Sequence, residues 1–106
     1  MRDNLQSGAL TETSLLILLS LYDELHGYGV KKLIEKMTDG KISLGMGTLY
    51  GAINKMLEKG WIKQSSQKAN KVNYIITDLG REKVNNEERR LIKLLGLVNE
   101  VQKKHM

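Results

Sequence analysis

The sequence contains no cysteine and no proline, and only one tryptophan. Without cysteine there is no disulfide framework, no thiolate–metal site and no thiol nucleophile, and a reducing cytoplasmic setting is permitted. The two histidines, His26 and His105, are isolated from each other, so no metal site follows from them. Long apolar runs are missing too. The stretch from Leu15 to Leu21 is far too short to span a bilayer, and Met1-Arg2-Asp3-Asn4 opens no signal peptide. The expectation is a soluble cytoplasmic protein. At 106 residues it has room for one small domain with one modest core.

Catalytic equipment is equally scarce. No nucleophile stands near a base in any recognisable pattern, and the acids fall mostly at salt-bridge spacing on helix surfaces. Gly45-Met46-Gly47 is too short, and in the wrong context, for a dinucleotide fingerprint. These gaps predict a protein that is not an enzyme and needs no cofactor.

Acids are nearly absent from one third of the chain. Between Lys41 and Ile76 stand six lysines (Lys41, Lys55, Lys59, Lys63, Lys68 and Lys71) and one acid, Glu58, so this segment alone carries the whole net charge of +5. A basic excess confined to one contiguous segment is the footprint of a surface that faces nucleic acid. On charge alone, lysines retained for solubility explain it as well.

What is present is helical patterning with one interruption of period two. Thr11 is placed to cap a first helix that runs to about Leu25; its leucines and Ile17 surround most of the circumference, predicting a central core helix. Val30, Leu33, Ile34 and Met37 recur at helical spacing in a second helix, which Thr38-Asp39-Gly40 ends. Lys41-Ile42-Ser43 is read as a brief edge strand. In a third helix Leu49, Ile53, Met56 and Leu57 form the inward stripe, and Gly60 stops it as a left-handed residue would. From Trp61 to Gln67 and from Lys71 to Ile76 the pattern alternates, with Lys68-Ala69-Asn70 at the tip of a hairpin. Trp61 is expected to close the base of that hairpin.

Thr77 then caps a last helix that no proline interrupts. Its Val84, Leu91 and Val98 repeat every seven residues, alongside Leu94, Leu95 and Val101. A domain this small cannot bury such a stripe alone, so the pattern predicts pairing with a second copy through Leu91, Leu94, Leu95, Val98 and Val101. The fold class is mainly α with a small β-wing: a winged helix-turn-helix over residues 1–76 and a C-terminal dimerisation helix over 77–106.

Four stretches then become specific: Leu25-His26-Gly27-Tyr28-Gly29, Gly47-Thr48-Leu49-Tyr50, Leu57-Glu58-Lys59-Gly60-Trp61-Ile62, and Tyr74-Ile75-Ile76-Thr77-Asp78-Leu79-Gly80-Arg81. In order and spacing they resemble the landmark motifs of the PadR family of transcriptional regulators, over about Leu15 to Arg90. The length is similar to that of the small subfamily with a single long C-terminal helix. The resemblance implies a homodimeric repressor of an inverted-repeat operator, released by a small-molecule effector held between the subunits. It further implies that the third helix enters the major groove, that the wing follows the backbone or minor groove, and that Tyr50 contacts DNA. The chain departs from the family in carrying Gly51 where proline is frequent, lysines where the wing is usually arginine-rich, and no aromatic residue in the last helix.

The residues themselves fit double-stranded DNA. Thr48, Tyr50, Asn54 and Lys55 place a hydroxyl, a phenol, an amide and a cation on one helix face, suited to base edges and phosphates. Gly51 costs about 1 kcal/mol relative to alanine inside a helix, which is understandable where another backbone must come close. Lys68 and Lys71 suit phosphates at the wing tip, Ser43 can add a hydrogen bond, and Tyr28 can direct its hydroxyl outward while its ring packs inward. His26 reads as a hydrogen-bonding residue at a helix terminus. The alternatives from other classes are a winged-helix protein-interaction module, such as an anti-repressor with no operator of its own, and a nucleic-acid binder without sequence preference.

Overall fold

Thr11 accepts a hydrogen bond from the Ser14 N–H at 3.0 Å and thereby caps the first helix, α1 (Glu12–Ser20). In the computed structural model, which describes residues 9–106, the chain continues through β1 (Leu25–His26), α2 (Gly27–Met37) and α3 (Met46–Lys59). It then forms β2 (Ile62–Lys68), β3 (Lys71–Ile76) and α4 (Asp78–Lys104). The Met1-Arg2-Asp3-Asn4 stretch lies outside the described residues. Among those described, no helix is long and apolar enough to cross a membrane.

Two expectations about where elements begin and end need correction, and both concern the sheet. The first helix stops at Ser20, short of Leu25, because its end is claimed by tertiary contacts. The Leu21 carbonyl accepts from the Ile76 N–H at 2.8 Å, and Leu25 pairs with Tyr74. The third strand is therefore Leu25–His26, in the antiparallel order β1-β3-β2, and Lys41-Ile42-Ser43 forms no strand. Its polar groups are taken locally instead. The Ile42 N–H donates to Thr38 Oγ1 at 3.1 Å, and the Ser43 hydroxyl donates to Glu35 Oε2 at 2.7 Å.

The core draws on each described helix and all three strands or their flanks. Ile17, Leu18 and Leu21 meet Val30 and Ile34 of α2, with Leu49, Ile53 and Met56 of α3 closing the space. Ile62, Tyr74, Ile76 and Val84 bring in the sheet and the start of α4. Each fully buried aliphatic side chain here contributes roughly 1.5 to 3 kcal/mol relative to exposure. The inward stripe of α3 is as expected, with Leu57 half-buried beside it. α1 is less enclosed than expected, since Leu19 is exposed on its far side.

Gly60, at φ 77°, ends α3 in the left-handed region, and the Trp61 N–H returns to the Met56 carbonyl. The wing begins immediately. A bulge falls between Gln64 and Ser66, and Ala69 and Asn70, both at positive φ, turn the hairpin so that Lys68 opposes Lys71. Gly80 locks the wing to α4, because a Cβ there would lie 2.1 Å from the Trp61 carbonyl oxygen. α4 spans 27 residues, about 40 Å at 1.5 Å per residue, and from Leu91 onward every residue is exposed.

Candidate nucleic-acid interface

The approach to α3 is fixed before the helix starts. Lys31 Nζ donates to Glu35 Oε2 at 2.9 Å, to Ser43 Oγ at 3.1 Å and to the Leu44 carbonyl at 2.9 Å. The Lys31 ammonium and the Ser43 hydroxyl hold the Glu35 carboxyl down to about 2. Ser43 is thus placed as a strut of the turn between α2 and α3, with its proton already committed.

Gly45 begins α3 with no side chain to cap it, and no acid stands in the first turn. The N–H groups there lack a side-chain acceptor at the positive end of the helix dipole. Leu49, Ile53 and Met56 turn inward, and Gly47, Thr48, Tyr50, Gly51, Asn54 and Lys55 all come out exposed, as the spacing implied. Among the described residues a Cβ at Gly45, Gly47 or Gly51 would meet nothing within 4 Å, so no packing among them requires glycine at those positions. Glu58 lies on the same outward line one turn beyond Asn54. That acid leaves the N-terminal half of α3 as the part suited to an anion.

Tyr50 is less free than its exposure implies. Its phenol lies over Gly27, where a Cβ would come 2.3 Å from the hydroxyl, so the close approach of α2 and α3 depends on that glycine. Tyr28, at the start of α2, is 53% exposed with the Lys32 ammonium 5.8 Å from its ring centre, so the ring does not pack inward. Tyr28, Tyr50 and Lys71 converge on one cavity of about 500 Å³, joined by His26, Asn70 and Tyr74. Burial pushes the Tyr74 phenol up, and the neighbouring Tyr50 adds to the effect. His26 occupies the N-cap position of α2 but makes no capping hydrogen bond, contrary to its expected role.

At the wing tip Lys68 and Lys71 are directly opposed across the turn. Like charges in that arrangement repel, and an anion brought between them relieves the repulsion. The middle of β2 is tied to the segment before β1, where Glu24 accepts hydrogen bonds from Ser65 and Ser66 at 2.5 and 2.6 Å. Those two hydroxyls keep the Glu24 carboxyl below its usual range.

The charge pattern survives folding. The ion pairs among the described residues are Lys31–Glu35, Lys32–Glu35 and Arg90–Glu87, and none engages a lysine of the basic segment. Trp61 is half-buried at the base of the wing, flanked by the Lys59 and Lys83 ammonium groups at 4.8 and 5.9 Å from its ring. Leu91, Leu94, Leu95, Val98 and Val101 stand apart from this surface, exposed along the outer half of α4.

Sequence reasoning missed Lys31, Asn70 and Tyr74. Asn70 carried a usable signal, since asparagine tolerates the left-handed turn conformation. Lys31 and Tyr74 carried none, because their roles depend on which segments fold together.

Comparison with known proteins follows the same outline. The sequence profile described as the Transcriptional regulator PadR-like family matches residues 15–86. An uncharacterized 37.1 kDa protein in transposon TN4556 of Streptomyces fradiae is 31% identical over 90 residues, which is 84% of this chain and 26% of that protein. The chain therefore spans about a quarter of the length of the curated relative it matches. Among solved structures, a transcriptional regulator from Clostridium thermocellum superposes with a TM-score of 0.72 at 22% identity, over 94% of this chain and 95% of that one. Bacillus subtilis PadR in complex with operator DNA superposes with a TM-score of 0.57 at 20% identity, over 70% of this chain and 44% of that one. With the profile covering most of its length, this chain belongs to the PadR-like family of transcriptional regulators.

Proposed function

We propose that this protein is a homodimeric repressor that binds an inverted-repeat operator in the cytoplasm, with residues 1–76 reading DNA and residues 77–106 pairing two copies. The observation that carries the reading is the convergence of α3 and the wing. Tyr50 of α3, Tyr28 of α2 and Lys71 of the wing share one cavity, and the basic segment around them is free of ion pairs among the described residues. The solved complex of B. subtilis PadR with operator DNA supports the choice of partner.

In this reading the N-terminal half of α3 lies in the major groove. Asn54 pairs with a base edge, while Thr48, Tyr50 and Lys55 divide between bases and phosphates. Gly51 lets the DNA backbone approach the helix, and Lys68 and Lys71 grip phosphates from the wing. Tyr28 adds its exposed phenol, and Ser43 aims the helix through Lys31 and Glu35. The apolar face of α4 sets the distance between two α3 helices at about 34 to 36 Å, the separation of successive major grooves. A small-molecule effector between the subunits completes the reading.

Selection from random duplexes by the purified protein tests this. Enrichment of an inverted repeat is the expected result. A verified dimer that enriches nothing at low salt would favour the protein-interaction module, and retention of every duplex equally would indicate binding without sequence preference.

A further inference from the structure

The body of the protein holds the wing over a short length only. β1 contributes two residues, and its last pair sets His26 beside Asn73 of β3. Ser66 of β2 pairs with the same Asn73 from the other side, so His26, Asn73 and Ser66 form the last rung at which three strands lie side by side. Residues 67–72 continue outward as a ribbon of two strands with Lys68 and Lys71 at its end. Such a ribbon twists more strongly than a wider sheet and is only marginally stable by itself, so its direction depends on how the last rung is anchored.

The anchor is Glu24. From the segment before β1 it reaches across β3, and its Oε2 accepts from the Ser65 hydroxyl at 2.5 Å and from the Ser66 hydroxyl at 2.6 Å. Adjacent residues of a regular strand point to opposite faces, and two neighbouring serines would not share one oxygen. The bulge resolves this. Ser65 is the extra residue between Gln64, paired with Tyr74, and Ser66, paired with Asn73, and the local kink brings both hydroxyls to the same carboxylate. Asn73 completes the cluster by donating from Nδ2 to Ser66 Oγ at 3.4 Å. Val72 and Tyr74 line the cavity shared with Tyr28 and Tyr50, and Asn73, between them in the strand, projects from the other face of β3. The cluster is thus built apart from the surface assigned to DNA.

We propose that Glu24 is a positioning residue for the wing: through Ser65 and Ser66 it sets the direction in which the ribbon leaves the sheet, and so where Lys68 and Lys71 meet phosphates. The step to phosphates rests on the function proposed above; the anchoring does not. Simple electrostatics predicts the opposite sign. Glu24 is an acid close enough to Lys68 to feel its charge, so by charge alone its removal tightens DNA binding, whereas the loss of an anchor weakens it.

Two variants of the full chain separate the anchor from the charge. Glu24→Ala removes the acceptor together with its charge, and Ser65→Ala/Ser66→Ala removes the donors and leaves every charge in place. In the DNA-free protein, backbone amide relaxation by NMR is expected to show residues 67–72 losing order in both variants while α3 is unchanged. On a selected operator at about 0.1 M salt, Glu24→Ala binds about eightfold more weakly, which is what one lost phosphate contact takes from affinity at that salt, and its salt slope is shallower by about 0.9. The serine variant follows it, and Lys68→Ala costs far less in the Glu24→Ala background than in the unaltered protein. Unchanged order at residues 67–72 in both variants overturns the anchoring. Glu24→Ala that tightens operator binding, or Lys68→Ala that costs the same in both backgrounds, overturns the step to phosphates. Unaltered protein that binds no duplex fails the functional reading instead, and the relaxation measurement still decides the anchoring.

Discussion

Lys31 and Asn54 represent two kinds of work at the residue scale. Lys31 works within the chain: its three hydrogen bonds hold Glu35, Ser43 and the Leu44 carbonyl, and so fix where α3 begins. Glu35 has its carboxyl at about 2, below the ordinary 4.5, so its contribution to stability is fully present above pH 4.5 and is lost as pH falls through 2. Carboxyl NMR is expected to place the Glu35 midpoint near that value, and Glu35→Gln should remove part of the acid-induced loss of stability between pH 4.5 and 2. Asn54 is exposed, with no side-chain hydrogen bond or ion pair among the described residues, so Asn54→Ala should leave stability unchanged. It should instead relax base preference at particular operator positions, by about 1 to 3 kcal/mol each in competition binding. Uniform weakening across all sequences would show that Asn54 grips phosphate.

At the scale of elements, the wing turn and the junction with α4 are the points of greatest local constraint. Ala69 adopts φ 50°, a conformation that costs a residue other than glycine or asparagine about 1 kcal/mol, and Asn70 follows at φ 63°. Replacing the pair with the favoured Asn-Gly (Ala69→Asn, Asn70→Gly) should stabilise the protein by about 1 kcal/mol, raising Tm by roughly 4 to 8 °C in a two-state melt. Gly80→Ala should do the opposite. Its methyl would be driven into the Trp61 carbonyl, costing about 1 to 3 kcal/mol by chemical denaturation. Elements specified by their own periodicity were legible in the sequence: the inward stripe of α3, the alternation of β3 and the Thr77 cap of α4 all stand where expected. β1 was not legible, since Leu25-His26 becomes a strand only by pairing with Tyr74 and Asn73, distant in the chain. The same distance explains why the Tyr28, Tyr50 and Lys71 cavity was seen only as separate residues. The false strand at Lys41-Ile42-Ser43 arose because β propensity carries no record of the local hydrogen bonds that Thr38 and Glu35 impose.

For the whole molecule, the outer half of α4 is the most informative surface. Leu91, Leu94, Leu95, Val98 and Val101 are between 43 and 60% exposed, an apolar stripe on a helix that extends beyond the core. Val98→Glu should yield a monomer in analytical ultracentrifugation with the winged-helix core intact by circular dichroism, and should greatly weaken operator binding by uncoupling the two half-sites. A dimer that survives this change would locate the contact elsewhere. Charge acts at the same scale, because the whole net charge of +5 sits in the segment that forms α3 and the wing. The most direct measurement of the central claim is therefore the affinity for a selected operator across a salt series. The logarithm of affinity should fall linearly with the logarithm of salt concentration, and Lys68→Ala and Lys71→Ala should each make the slope shallower by about 0.9, the value of one phosphate contact. Operator affinity that does not change with salt would contradict the assignment of α3 and the wing to DNA.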